Sequence, residues 1–199
     1  MAERARGRPR SFDREAALDQ ATWVFWERGY EATSVAELTR VMGIGAPSLY
    51  AAFGDKRALF EEVVERFGER FGLFIDRAVA EEPTASRAMA RVLREAAAEY
   101  TTPGRPPGCL VASAALNCPV EEVAAGLRAR REGNVRAFER IIRQDIAAGL
   151  LPAETDAAGL ARFVGAVLQG MSQQARDGVG RAALEAVAEA ALRAWPAAP

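Results

Sequence analysis

Histidine is absent from this sequence, and of 26 basic residues only Lys56 is a lysine. The missing imidazole removes the commonest general base, the triads built on it and most zinc sites. No G-x-x-x-x-G-K or G-x-G-x-x-G loop occurs, and the GVG at 178–180 reads as a helix junction and not as a phosphate cradle. With no nucleophile beside a base and no cluster of metal ligands, the expectation is a protein that is not an enzyme and holds neither cofactor nor metal. Apolar runs long enough to cross a bilayer are lacking, and the N-terminus is basic and polar instead of signal-like, so no membrane partner is expected. Two cysteines without a secretory signal point to a reducing cytoplasm. The net charge is only −1, so any affinity for nucleic acid must come from local patches. At 199 residues the chain buries roughly 70% of its unfolded surface and needs no disulfide to fold.

Residues 34–56, SVAELTRVMGIGAPSLYAAFGDK, organise what is present. Ser34 and Glu37 make the S-x-x-E pattern of a capping box. Val35, Leu38, Val41 and Met42 follow at helical spacing, and Gly43 stands where a helix ends in the left-handed conformation. Ile44 plugs the angle between two helices. Gly45 begins the second, and Pro47 is tolerated in its first turn. Leu49 and Phe53 turn inward from that helix, leaving Ala46, Ser48, Tyr50 and Ala51 nearer the outside. Small and hydroxyl-bearing outer residues on a short helix suit a major groove, so the stretch reads as a helix-turn-helix.

Ahead of it, MAERARGRPRS is a polar arm with Arg4, Arg6, Arg8 and Arg10 at alternate positions, suited to phosphates or a minor groove. Asp13 caps a first helix carrying Ala17, Leu18, Ala21, Val24 and Phe25 on one side, which braces the helix-turn-helix from behind. Asp55 caps a long helix over about 56–81, a strut between this head and the remainder, with Gly68 and Gly72 inside its apolar stripe. Every later periodic segment is helical: 86–101, a short piece at 109–116, 119–148, 156–177 and 181–194. The loop TTPGRPPG ends the first of these, since three prolines cannot continue a helix. The fold class is therefore all-α, with about nine helices. An N-terminal DNA-binding head spans 1–55, and a ligand-binding and dimerisation body spans 56–199.

The motifs A-x-x-x-F-x-x-x-G-Y-x-x-T-S-V at 21–35 and G-I-G-A-P-S-L-Y-A-A-F-G-D-K-R-A-L-F at 43–60 strongly resemble the TetR family of bacterial transcriptional regulators. The resemblance implies a homodimer that binds a palindromic double-stranded operator and releases it on binding a small molecule. It implies phosphate contacts from Thr33, Ser34 and Lys56, with Ala46, Pro47, Ser48 and Tyr50 on the recognition helix; Arg8 and Arg10 are added as DNA contacts from the reading of the basic arm. Where many members carry a polar residue before the phenylalanine, this chain has Ala52, which leaves few long side chains for base readout.

The family's pocket lies among the helices of the body, where Phe71, Phe74, Met89, Leu93, Tyr100, Phe138, Phe163, Gln169 and Met171 are candidate lining residues. Such a lining suits a small apolar or aromatic effector. The last two helices mix small residues with Leu160, Gly165, Leu168, Gly170, Leu184 and Val187, which are read as a subunit interface. The strut is expected to carry effector control as one rigid helix. An alternative on the same fold is a thiol sensor, because Cys109 and Cys118 each stand at the start of a helix, where thiol pKa values fall.

Overall fold

The computed structural model describes residues 12–114 and 118–196, so Arg8 and Arg10 lie outside the described residues. Among the described residues the chain is helical throughout, without a strand. The helices are α1 (Arg14–Arg28), α2 (Val35–Met42), α3 (Ala46–Phe53), α4 (Lys56–Phe67), α5 (Leu73–Glu81), α6 (Ala85–Glu99), α7 (Leu110–Ser113), α8 (Glu121–Ala147), α9 (Ala157–Arg176) and α10 (Arg181–Arg193). One π-helical turn, Gly68–Gly72, joins α4 to α5. Counted with that turn as a single bent element, α4 and α5 bring the total to nine.

The helix starts follow their caps. Asp13 accepts from the N–H groups of Glu15 and Ala16, Asp55 from that of Ala58, Thr84 from that of Arg87, and Asp156 from that of Gly159. Ser34 accepts from the Glu37 N–H at 3.1 Å, which is half of the expected capping box. Glu37 instead pairs with Arg28 at 3.0 Å, because α1 brings a guanidinium within reach. Gly43, at φ 64°, closes α2 in the left-handed region, and the Ile44 N–H returns to the Thr39 carbonyl. Buried Asp145 of α8 accepts from the Ala85 N–H at 2.7 Å, so one helix caps the start of another.

Two apolar cores meet near the π turn. The first gathers Phe25, Leu38, Leu49, Leu59 and Phe60 with Leu110, Val123 and Leu127, so α4 and the beginnings of α7 and α8 pack into the head. The second joins α5, α6, α8, α9 and α10 around Met89, Leu93, Phe138, Ile142, Met171 and Leu184. Trp23, Trp26, Phe67 and Phe71 cluster at the boundary, the two tryptophans stacked and the other pairs edge-on or tilted, with ring centroids 4.8 to 6.0 Å apart. The rigid strut expected over 56–81 is thus interrupted. Glycines at both ends of GERFG weaken the α-helical preference there, and the wider turn sits against a cavity.

Candidate nucleic-acid interface and effector cavity

The outer face of the head is built from α2 and α3. On α3, Leu49 and Phe53 are buried and anchor the helix, while Tyr50 is 49% exposed, Pro47 is exposed, and Ala46 and Ser48 are half-buried at the surface. Arg14 fixes α3 against α1 and α4: its guanidinium stands 4.4 Å over the Phe53 ring, donates to the Ala52 carbonyl at 3.3 Å and pairs with Glu62 at 2.6 Å. Such a three-way tie holds the outer residues of α3 at a fixed angle. Ser34 is exposed, and its hydroxyl oxygen accepts the cap bond, which leaves its proton free to donate.

Thr33 behaves differently from its expected role. It is fully buried, its hydroxyl donates to the Gly29 carbonyl at 2.7 Å, and its N–H donates to the Tyr30 carbonyl at 3.3 Å. Both donors are occupied inside the head, so neither is available to a phosphate. Lys56 occupies the first turn of α4, and its ammonium lies 4.3 Å over the Tyr30 ring. Burial pushes its pKa below the ordinary lysine value. A cation at a helix N-terminus opposes the macrodipole, so the aromatic face is what steadies it here. Arg40 of α2 was not anticipated; its side chain is 73% exposed and its nearest carboxylate, Glu37, is 3.9 Å away. Its place between apolar positions in LTRVM marks it as an outward residue.

At the other end of the head lies a cavity of about 430 Å³. Phe71, Phe74, Tyr100, Phe138 and Gln169 line it. Met89, Leu93 and Met171 do not; they are at most 1% exposed and fill the second core. Phe163 turns outward on α9, 39% exposed, and does not line the cavity. The residues that periodicity failed to select are Trp26 from the head, Cys109 from the loop before α7, and Arg130, Arg131 and Asn134 from α8. Polar side chains on a helix read as a solvated face until a neighbour covers them. The cavity therefore sits between head and body, and not wholly inside the body.

Direct bonds cross the same junction. Arg176, at the end of α9, donates to the Trp26 and Glu27 carbonyls at 3.1 and 2.8 Å, capping the C-terminus of α1. The Tyr30 N–H donates to the Ala114 carbonyl at 2.9 Å. Cys109 donates its N–H to Ser172 Oγ at 2.8 Å, which clamps its loop to α9. Burial pushes the Cys109 thiol up, outweighing two backbone hydrogen bonds that act to lower it. Both cysteines are free thiols.

On the far side of the body, the residues expected at the subunit interface divide into two sets. Leu168 and Leu184 are buried in the protomer's own core, and a Cβ at Gly165 would stand 3.0 Å from Val135 Cγ2. Those three belong to intramolecular packing, because small and large residues alternate as well inside a bundle as between subunits. On α9, Gly170 faces open space, Leu160 is half-buried and Phe163 is exposed, while Val187 of α10 is half-buried.

The sequence profile described as bacterial regulatory proteins of the tetR family matches residues 17–63, the head with the start of α4. The HTH-type transcriptional repressor ComR of Escherichia coli (strain K12) is 36% identical over 197 residues, spanning 98% of this chain and 94% of ComR. BdcR, an HTH-type transcriptional repressor from the same strain, is 29% identical over 175 residues, spanning 88% of this chain and 85% of BdcR. A cysteine-substituted form of the TetR family transcriptional regulator CifR, solved with 26-base-pair operator DNA, has a TM-score of 0.91 and 46% identity, covering 95% of this chain and 100% of that one. A helix-turn-helix head, a helical body and full-length similarity to these repressors lead to one conclusion: the chain belongs to the TetR family of transcriptional regulators.

Proposed function

We propose that this protein is a homodimeric repressor that leaves a palindromic operator when a small apolar or aromatic effector enters the junction cavity. The observation that carries the reading is the shared wall: Trp26 of the head and α8 of the body line one space, so an occupant touches both units at once. The operator DNA bound by CifR supports the DNA-binding half of the reading. Residues 1–55 act as the DNA-binding head and 56–199 as the sensing and dimerising body, in the cytoplasm and without catalysis. Ser34, Lys56 and Arg40 take phosphates, while Ala46, Pro47, Ser48 and Tyr50 face base edges and thymine methyls; phosphate contacts position and base contacts specify.

Operator titrations at several salt concentrations test this. Lys56→Ala should weaken binding about equally on all sequences and should lower the slope of log K against log salt by roughly one unit per subunit. An unchanged slope would mean that Lys56 does not touch DNA.

For the dimer, the open surface at Gly170 makes Gly170→Arg the clean test. A Cβ there meets nothing within 4 Å in its own protomer, so the side chain starts into open space, and burying its charge in an apolar contact with a partner is costly. Light scattering on the eluted variant should report the mass of a monomer, and a dimer of unaltered mass would remove Gly170 from the interface.

A further inference from the structure

The cavity wall holds a guanidinium with most of its donors unmet. Arg131 is half-buried, and its one hydrogen bond among the described residues goes from Nη1 to the Val111 carbonyl at 2.7 Å. Among the described residues no carboxylate lies within ion-pair distance of it, whereas fourteen other arginines have such a partner. Burial pushes its pKa below the ordinary arginine value, and the nearest negative charge, Glu132, acts on it only weakly because it is paired with Arg162. A group that supplies acceptor oxygens and negative charge would satisfy the guanidinium, and Arg takes carboxylates in a planar, two-bond geometry.

The carboxylates that line the cavity do not fill this role. Glu65, Glu69 and Asp76 are exposed at the rim, where water and salt screen them, and Glu99 is already paired with Arg105 at 2.7 Å. Arg130 stands exposed on the same stretch of α8 and adds a second positive charge at the entrance. Beyond the charged group, the side chains of Phe71, Phe74 and Phe138 border the cavity.

From these unmet donors we infer that the effector is an aromatic monocarboxylate, its carboxylate held by Arg131 and its rings lying among Phe71, Phe74 and Phe138. This deepens the proposed effector-released repressor and rests on that reading for its regulatory meaning, though the binding itself does not depend on it.

The test uses three probes of similar shape on the full-length protein: naphthalene-2-carboxylate, its neutral carboxamide, and the cationic naphthalen-2-ylmethylammonium. Calorimetry at fixed pH and salt should show the carboxylate binding about ten- to a hundredfold more tightly than the amide, as expected for a charge-assisted bond in a partly dry site. That preference should vanish in Arg131→Gln and survive in part in Arg131→Lys. The probe comparison in the unaltered protein needs no variant, so a poorly folding substitution does not blunt it. Equal affinities, a preference for the cation, or no binding by any probe at about 1 mM overturns the assignment. Operator binding measured without probes is a separate arm: its absence would sink the repressor reading and leave the carboxylate site standing.

Discussion

Gly108→Val protein is expected to lose about 2–6 kcal/mol of folding stability, a large part of what holds a domain together. Gly108 adopts φ +76°, a backbone region that a β-branched residue enters only under strain. Space is equally unfavourable: a Cβ there would lie 2.6 Å from the Ser172 carbonyl oxygen, 2.9 Å from its Oγ and 3.1 Å from Arg176 Cγ. Both residues already make bonds, since Ser172 Oγ accepts from the Cys109 N–H within the body and Arg176 caps α1 across the junction. Displacing them opens one wall of the cavity as well as straining the loop. Denaturant titration at fixed protomer concentration reads the loss, the fixed concentration being necessary because a dimer's stability depends on it. Gly108→Ala should show a smaller drop, and adding Ser172→Ala should relieve only the hydroxyl contact, since the backbone oxygen remains. An unaltered midpoint for the valine protein would mean that the loop can move off α9 at little cost.

What this junction does was poorly legible in the sequence, for a definite physical reason. The helix-turn-helix announces itself locally: caps, a left-handed glycine and apolar spacing all lie within 23 consecutive residues, and the structure places Leu49, Phe53, Ser34 and Asp55 accordingly. The cavity is assembled from residues as far apart as Trp26 and Gln169, and its polar members are on helix faces that look solvated in one dimension. Apolar periodicity finds what is buried, which explains why it selected Met89, Leu93 and Met171 along with Phe74 and Phe138. It cannot separate a side chain that fills a core from one that borders a void. Thr33 shows the converse limit: a threonine beside a cap looks like a surface donor until the fold turns its hydroxyl back to Gly29. Gly68 and Gly72 were visible inside the strut's stripe, yet only the packing shows that the chain uses them for a π turn against the cavity.

That interruption changes how a signal is expected to reach the DNA. An unbroken helix from Lys56 to Glu81 would transmit a tilt by itself, whereas a π turn beside the cavity lets α5 shift while α4 stays with the head. Beyond α4 and its π turn, where Arg70 pairs with Asp19, head and body are tied by Arg176 to the Trp26 and Glu27 carbonyls and by Tyr30 to the Ala114 carbonyl. Hydrogen bonds from a charged donor are worth about 1.5–3 kcal/mol each. Coupling between an effector and an operator is typically ~1–3 kcal/mol, or about 5–150-fold in affinity, so the loss of Arg176 alone is large enough to abolish it. Arg176→Gln is accordingly expected to keep the dimer and operator binding while the effector's influence on operator affinity falls to within about twofold of none. The measurement is a thermodynamic square: operator affinity with and without naphthalene-2-carboxylate, and ligand affinity with and without operator, the two ratios being equal by linkage. A square unchanged from the unaltered protein would assign the coupling to α4 and its π turn. Cys109→Ser combined with Cys118→Ser serves as the control, because a reversible ligand needs neither thiol. If that double variant lost its response while Arg176→Gln retained it, the switch would be a thiol, and the small-molecule reading would give way to it.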